Sequence, residues 1–222
     1  MSTTPGDGAP RRGHYFDAAP GVGSAETTVD VVLPGATFVM ATDRGVFSHG
    51  HLDTGTAILL RHPLELPSSG RFLDLGCGAG PIALTMAARS GGAEVWAVDV
   101  NERARGLCAA NARRNHLGRI VVAAPDDVDP ALRFDVIWSN PPIRIGKQEL
   151  RTLLQHWLGR LAPGGVAVLV VQKHLGADSL HRWLAATGWD CERLTSKAGY
   201  RLLRVGPASD PRRIDVDRPG RP

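Results

Sequence analysis

With 222 residues the chain has room for one well-buried domain and a small appendage, and a formal net charge of +4 with a pI near 9.3 admits a polyanionic partner without demanding one. Cys77, Cys108 and Cys191 are odd in number and widely spaced, which supports neither a disulfide framework nor a zinc site and fits a reducing cytoplasm. The longest apolar run, residues 166–171, is far too short to span a bilayer, and residues 1–12 contain no apolar h-region, so a cytoplasmic protein away from membranes is expected.

Taken in order, residues 1–13 are rich in Gly, Pro and charge and read as a disordered tail, as do residues 206–222 at the other end. The pairs Arg11, Arg12 and Arg212, Arg213 in these tails are read as solvated rather than bound to nucleic acid. Residues 14–67 stand outside the repeating pattern that follows and form an N-terminal extension packed beside the core. Within it, residues 29–33 and 37–41 are β-branched runs on either side of Pro34 and Gly35, which predicts two strands joined by a turn. Asp53 or Thr54 then caps a helix over residues 55–62.

Residues 68–205 alternate regularly and form the main domain. A strand over residues 71–75 is followed by a glycine turn and a helix opening at Pro81, and a second strand over 95–99 precedes a helix capped by Asn101 and running to about Asn115. Strands follow over 119–124 and 134–139, a helix over 147–161, a strand over 165–172 and a helix over 176–187. Residues 189–196 and 200–205 close the sheet as a hairpin. Strands alternating with helices predict an α/β fold, a Rossmann-like and mostly parallel sheet of seven strands covered on both faces, with the last strand antiparallel.

Two motifs carry the chemistry. In the first, LDLGCGAGP, Gly76, Gly78 and Gly80 stand at alternate positions between strand and helix, where the backbone must turn sharply or let a ligand approach. The spacing is not that of a dinucleotide fingerprint, since the third glycine comes one position early and Pro81 follows it. Asp74 would repel a pyrophosphate but attract an ammonium or sulfonium. Asp99, ending the next strand, lies where a partner of ribose hydroxyls is expected.

The second motif is Asn140-Pro141-Pro142-Ile143, after the strand over 134–139. In an open parallel sheet, ligands bind outside the carboxyl ends of the strands. Consecutive prolines fix the backbone and remove two N–H donors, leaving an Asn amide and a Pro carbonyl to face a pocket. Those acceptors suit an exocyclic amine, whose delocalised lone pair they would turn toward an electrophilic methyl group, with catalysis mainly by positioning.

With these residues the chain, over residues 14–205, resembles the class I S-adenosylmethionine-dependent methyltransferases, in particular the small-domain (MTS) methyltransferases related to the ribosomal RNA small-subunit guanine-N2 enzymes. GVFSHGHLDTGTAILL, LDLGCGAGPIALTMA, VDVN, FDVIWSNPPIRIGK, LAPGGVAVLVVQKHLGADSL and GYRLLRV carry the resemblance. It implies S-adenosylmethionine as cofactor, held by Asp74, Gly76, Cys77, Gly78, Gly80, Asp99, Val100 and Asp126, with the methionine half on the glycine loop, the ribose on Asp99 and the adenine amine on Asp126. It implies Asn140, Pro141, Pro142 and Ile143 around the target amine, and Arg144 and Lys147 toward RNA phosphates. The partner implied is RNA, ribosomal RNA or a ribosomal particle, with no membrane and no metal.

The sequence departs from that pattern in places. Ile143 stands where many Asn-Pro-Pro enzymes carry an aromatic that stacks on a flipped base, and Ile offers no π face. The doublet Asp126 and Asp127 leaves open which carboxylate meets the adenine, and the additional N-terminal methyltransferase-like domain of the longer ribosomal enzymes is missing from the resemblance. His49 and His51 are the only close histidine pair and make a poor metal site. Arg103, Arg105, Arg113, Arg114 and Arg119 read as a solvated helix face. The leading expectation is methylation of guanine N2 in small-subunit ribosomal RNA. Adenine N6 or a protein glutamine remain as alternative acceptors, and a non-catalytic RNA-binding or assembly factor as an alternative of another class.

Overall fold

The structure is a computed structural model that describes residues 27–43, 52–142 and 145–208. The expected tail over 1–13, residues 209–222 of the tail expected over 206–222, His49, His51, Ile143 and Arg144 lie outside the described residues. Among the described residues no helix is long and apolar enough to cross a membrane.

In chain order the elements are β1 (Thr27–Leu33), β2 (Ala36–Thr42), α1 (Thr54–Arg61), β3 (Ser69–Leu75), α2 (Pro81–Arg89), β4 (Gly92–Val98), α3 (Glu102–Arg114) and β5 (Ile120–Ala123). Then come β6 (Phe134–Ser139), α4 (Lys147–Leu158), β7 (Leu161–Gln172), α5 (Ala177–Ala186), β8 (Trp189–Lys197) and β9 (Tyr200–Pro207). Strands β3 to β9 form one seven-stranded sheet in the order β5-β4-β3-β6-β7-β9-β8, and β1 and β2 form a separate antiparallel ribbon. The central strands are parallel; β9 runs antiparallel to both β7 and β8. The fold is therefore the predicted Rossmann-like sheet with a terminal hairpin and a small N-terminal β element.

Both faces of the sheet are covered, and the side-chain alternation along each strand assigns them. On β7, Val168 and Val170 face the layer of α1, α2, α3 and the ribbon, whereas Ala167, Leu169 and Val171 face α4 and α5. Near-continuous apolar strands such as this one are what a parallel sheet buried on both sides requires. At the tip of the hairpin, Ala198 (φ 47°) and Gly199 (φ 80°) are both left-handed, which matches the twist of two antiparallel strands joined by a two-residue turn.

One boundary differs from expectation. The helix predicted over 147–161 ends at Leu158, and Leu161 already belongs to β7. Leu161 pairs with Phe134 while Val166 pairs with Val136, so Pro163, Gly164 and Gly165 bulge out of the strand between two regular stretches. A Cβ on Gly165 would stand 2.8 Å from the Phe134 carbonyl, which explains glycine there. At the other end, β9 continues through Gly206 and Pro207, the first residues of the segment expected to be a tail.

The ribbon is joined to the domain by two asparagines one helical turn apart. At the C-cap of α3, Asn115 accepts from the Val39 N–H (3.1 Å) and donates to the Val39 carbonyl (3.0 Å), so its amide pairs with β2 as another strand would. Asn111, fully buried, accepts from the Ala41 N–H (2.7 Å) and donates to the Ala41 carbonyl and to the Ala79 carbonyl, both at 2.9 Å. Ala79 lies in the glycine loop, so one side chain holds ribbon, helix and loop together. Asn111→Leu would strand buried backbone groups at about 1–3 kcal/mol each. A fall in unfolding free energy of roughly 3 kcal/mol in urea titration is expected; a loss under 1 kcal/mol would show that the ribbon docks by apolar contact alone.

Candidate active site

The carboxyl ends of β3, β4 and β6 meet around the glycine turn. After Leu75 the chain folds over the end of β4, with the Gly76 and Cys77 N–H groups both donating to the Val98 carbonyl (2.8 and 3.1 Å). Gly76, Gly78 and Gly80 have φ of 75°, 54° and 92°, the left-handed region that side chains disfavour. At Gly80 a Cβ would also stand 2.6 Å from the Cys108 sulfur. At Gly76 it would meet nothing within 4 Å, so the open side of the loop begins there. Cys77 turns its thiol into the core, where a hydrogen bond to Cys108 and burial push its pKa well up; only its backbone is left to face a ligand.

Asp74 is fully buried, and its Oδ2 accepts from the Ala83 N–H at 2.9 Å, so a carboxylate from β3 satisfies an orphan donor in the first turn of α2. Its Oδ1 has no hydrogen-bond partner among the described residues. Burial, with a smaller contribution from neighbouring Asp99, pushes the Asp74 pKa up to about 8. Burial thus favours the neutral acid, and a cationic group placed beside the unpartnered oxygen would favour the charged form.

Asp99 follows β4 and is half-buried. Its Oδ2 accepts from the Gly78 N–H and its Oδ1 from the Asn101 N–H, both at 2.9 Å. Burial raises its pKa, and these backbone bonds oppose the rise. The carboxylate thus ties the glycine loop to the start of α3. Arg105 donates to the backbone carbonyls of Asp99 and Val100 at 2.9 and 2.8 Å, which fixes this corner from below. Asp126 and Asp127 are both exposed on the short turn that follows β5, at the same end of the sheet. The turn exposes both carboxylates alike and does not choose between them.

Asn140 stands one strand over from the glycine loop. Ser139 pairs in register with Leu75, and its hydroxyl donates to the Leu75 carbonyl at 2.7 Å, so Asn140 and Gly76 leave neighbouring strands at the same level. The Asn140 Nδ2 donates to Asp53 Oδ2 at 2.7 Å and to Thr56 Oγ1 at 3.0 Å. Asp53 is the N-cap of α1, and the same oxygen accepts from the Thr56 N–H at 2.9 Å. A carboxylate can only accept, so the atom of Asn140 that faces it must be the NH2. The amide oxygen is the atom turned away from that pair. Pro141 is buried and Pro142 half-buried, the Pro142 carbonyl accepting from the Ile145 N–H at 3.2 Å. Lys147 is exposed at the first position of α4.

Asp53 and Thr56 are the parts of this arrangement that the sequence did not assign to the site. Asp53 was legible there only as a helix cap. A capping carboxylate ahead of a short helix is the available signal, and it carries no mark of its second bond. Among the described residues no group of three or more His, Cys, Asp or Glu could hold a metal ion.

The family model for the methyltransferase small domain matches residues 37–204. The uncharacterized protein YbxB of Bacillus subtilis is 32% identical over 195 residues, which cover 86% of this chain and 97% of that protein. The ribosomal RNA small subunit methyltransferase C of Pseudomonas entomophila is 36% identical over 166 residues, 72% of this chain and 48% of that one. The chain therefore spans about half the length of the ribosomal RNA methyltransferase it matches. Among solved structures, the T. thermophilus 16S rRNA N2 G1207 methyltransferase, in complex with AdoMet and guanosine, superposes with a TM-score of 0.64 at 24% identity, covering 86% of this chain and 52% of that one.

Proposed function

The chain belongs to the methyltransferase small-domain family, and on that premise we propose that it methylates an exocyclic base amine of RNA, guanine N2 of small-subunit ribosomal RNA before any other. Its cofactor is S-adenosylmethionine, which supplies a methyl group made electrophilic by a sulfonium. In this reading Asp74 Oδ1 meets the cationic methionine end, the loop from Gly76 through Cys77 and Gly78 to Gly80 lets the ligand lie against its backbone, and Asp99 takes the ribose hydroxyls. Val100 lines the same corner, and Asp126 or Asp127 reaches the adenine amine. The orphaned buried oxygen of Asp74 and the open side of Gly76 are what fit such a ligand.

The observation that supports the reading is the orientation of Asn140, whose NH2 is engaged by Asp53 and Thr56 and whose oxygen remains as an acceptor for an amine. The amine donates one hydrogen to Asn140 Oδ1 and the other to the Pro141 carbonyl, which turns its nitrogen lone pair toward the methyl carbon. Bound beside it, S-adenosylmethionine would supply its methyl group to that lone pair, with the C–S electron pair leaving on sulfur and one amine proton passing to water. No strong base is needed because the nitrogen loses its proton after it has become cationic. Positioning of two reactants is worth several kcal/mol of barrier, and this chain's share of it lies in one fixed carboxamide. Arg144 and Lys147, following the same motif, lie toward the RNA phosphates in this reading.

The choice of guanine N2 in ribosomal RNA draws on the relatives' names rather than on the pocket. The test supplies methyl-labelled S-adenosylmethionine with small-subunit ribosomal RNA and with the assembled subunit lacking the modification, followed by digestion to nucleosides. Label in N2-methylguanosine is expected. Label in N6-methyladenosine or in a ribosomal protein would move the activity to another acceptor, and S-adenosylmethionine binding without transfer to any of them would favour an assembly factor.

A further inference from the structure

The carboxyl end of the sheet is divided by charge. Over β3, β4 and β5 its exposed carboxylates are Asp126 and Asp127, with Asp74 buried and Asp99 half-buried, Arg103 ion-paired with Asp43 and Arg105 bound to backbone carbonyls, whereas over β6, β7, β9 and β8 it carries lysines, with Glu149 beside the first of them. The chain uses arginine for nearly all of its basic residues; its only lysines are Lys147, Lys173 and Lys197. All three are exposed, and all three stand at this one end: Lys147 at the start of α4, Lys173 directly after β7, and Lys197 at the end of β8. Arginines such as Arg61, Arg89, Arg113 and Arg114 lie instead in the last turns of helices, at the opposite end, where they complement the helix dipoles.

The lysine-bearing loops form one rim that begins at the candidate catalytic amide. The Lys173 N–H donates to the Gly199 carbonyl at 2.7 Å, which joins the turn after β7 to the tip of the β8–β9 hairpin, and Lys197 pairs with Tyr200 across that tip. Tyr200 in turn reaches the start of α1: a Cβ on Gly55 would stand 2.8 Å from its ring and 3.1 Å from Asp53 Oδ2, the oxygen that holds Asn140. Asp178, on α5 beside this rim, is ion-paired with Arg201 and does not oppose the lysines. Asp53 is committed to Thr56 and Asn140.

Resting on the reading of the protein as an RNA methyltransferase, we infer that Lys173 and Lys197 form a phosphate track that carries the substrate strand away from Asn140 across β7, β9 and β8. From β6 to β8 there are three strand spacings, about 14 Å at ~4.8 Å each, which is the length of roughly four stacked nucleotides at ~3.4 Å each. The fitting partner is a single-stranded loop or end of a structured RNA, with the target base turned into the pocket and the backbone lying on one side of it. Lysine suits this task because a compact charge on a long, flexible stem follows a backbone without demanding bidentate geometry. On the cofactor half, the exposed Asp126 and Asp127 disfavour the same backbone.

The test measures binding of a small-subunit ribosomal RNA fragment to the full chain as a function of salt, for wild type, for Lys173→Ala/Lys197→Ala, and for Arg119→Ala/Arg133→Ala at the opposite end. Each phosphate contact to a single strand contributes about 0.7 to the slope of log affinity against log salt, so the lysine variant should show a slope shallower by about 1.4 and an affinity lower by roughly 25-fold at ~0.1 M salt. S-adenosylmethionine affinity should be unchanged in it, and the arginine variant should bind RNA as wild type does. An unchanged slope in the lysine variant, or an equal loss in the arginine variant, overturns the track while leaving RNA methylation standing. If wild type neither binds nor methylates RNA yet binds S-adenosylmethionine, both the track and the reading beneath it fall.

Discussion

Replacing Asn140 by alanine should lower single-turnover methyl transfer by roughly 10²–10³, by analogy with the loss of one preorganised donor from an oxyanion hole, and should leave S-adenosylmethionine affinity within a few-fold of wild type. The asymmetry follows from where the side chain sits. Its Nδ2 is held by Asp53 and Thr56 on α1, away from the glycine loop, so its removal withdraws nothing from the corner formed by Gly76, Gly78 and Asp99. What is lost is the acceptor that fixes the direction of a weakly nucleophilic lone pair. Asn140→Asp keeps an acceptor oxygen, but it sets a second carboxylate against Asp53 where the amide NH2 had donated. It should retain part of the activity and gain more as pH rises and the shared proton is lost. Single-turnover measurements at saturating cofactor decide the matter. Transfer by Asn140→Ala within a few-fold of wild type would place the amine on some other group.

Much of this site is written locally in the chain, and the parts that are not have a common cause. Strand β6 ends at Ser139 as the sequence predicts, because an apolar run stopped by Asn-Pro-Pro admits no other ending. The cap Asn101, the cap at Asp53 or Thr54 that the structure assigns to Asp53, and the three positive-φ glycines are legible for the same reason: each obeys a rule that spans only a few residues. The α4–β7 boundary is misplaced since Leu158 and Leu161 are apolar at helical spacing and nothing local announces a bulged strand pairing with Phe134. Asn111 and Asn115 read as ordinary polar positions on a helix, yet their amides bind backbone 70 and 76 residues away. Asp74 illustrates the same limit within the site. Its residue type and its place before the glycines mark it as a partner for a cation, but only the fold reveals that one oxygen caps α2 and that the other is orphaned.

Asp53 offers the cleanest separation of structure from chemistry, because one oxygen performs two tasks. It caps α1 through the Thr56 N–H, and it holds the Asn140 NH2. Serine is as good an N-cap as aspartate but too short to reach Asn140, so Asp53→Ser should keep the helix and release the amide. Thr56 Oγ1 then remains as the partner, and a hydroxyl can donate as well as accept, so it no longer dictates which end of the carboxamide faces outward. A fraction of molecules would present NH2 to an amine that cannot accept from it. Turnover should fall by about tenfold to a hundredfold, the scale on which catalysis responds to misplacement of about an ångström, with KM and S-adenosylmethionine affinity little changed. Asp53→Asn, which can place its amide oxygen where Oδ2 now lies, should restore most of the rate. The three proteins should melt within a few degrees of one another, since the cap is preserved in all. If Asp53→Ser turns over as fast as wild type, Asn140 is oriented by its own strand and the bond to α1 serves only the helix.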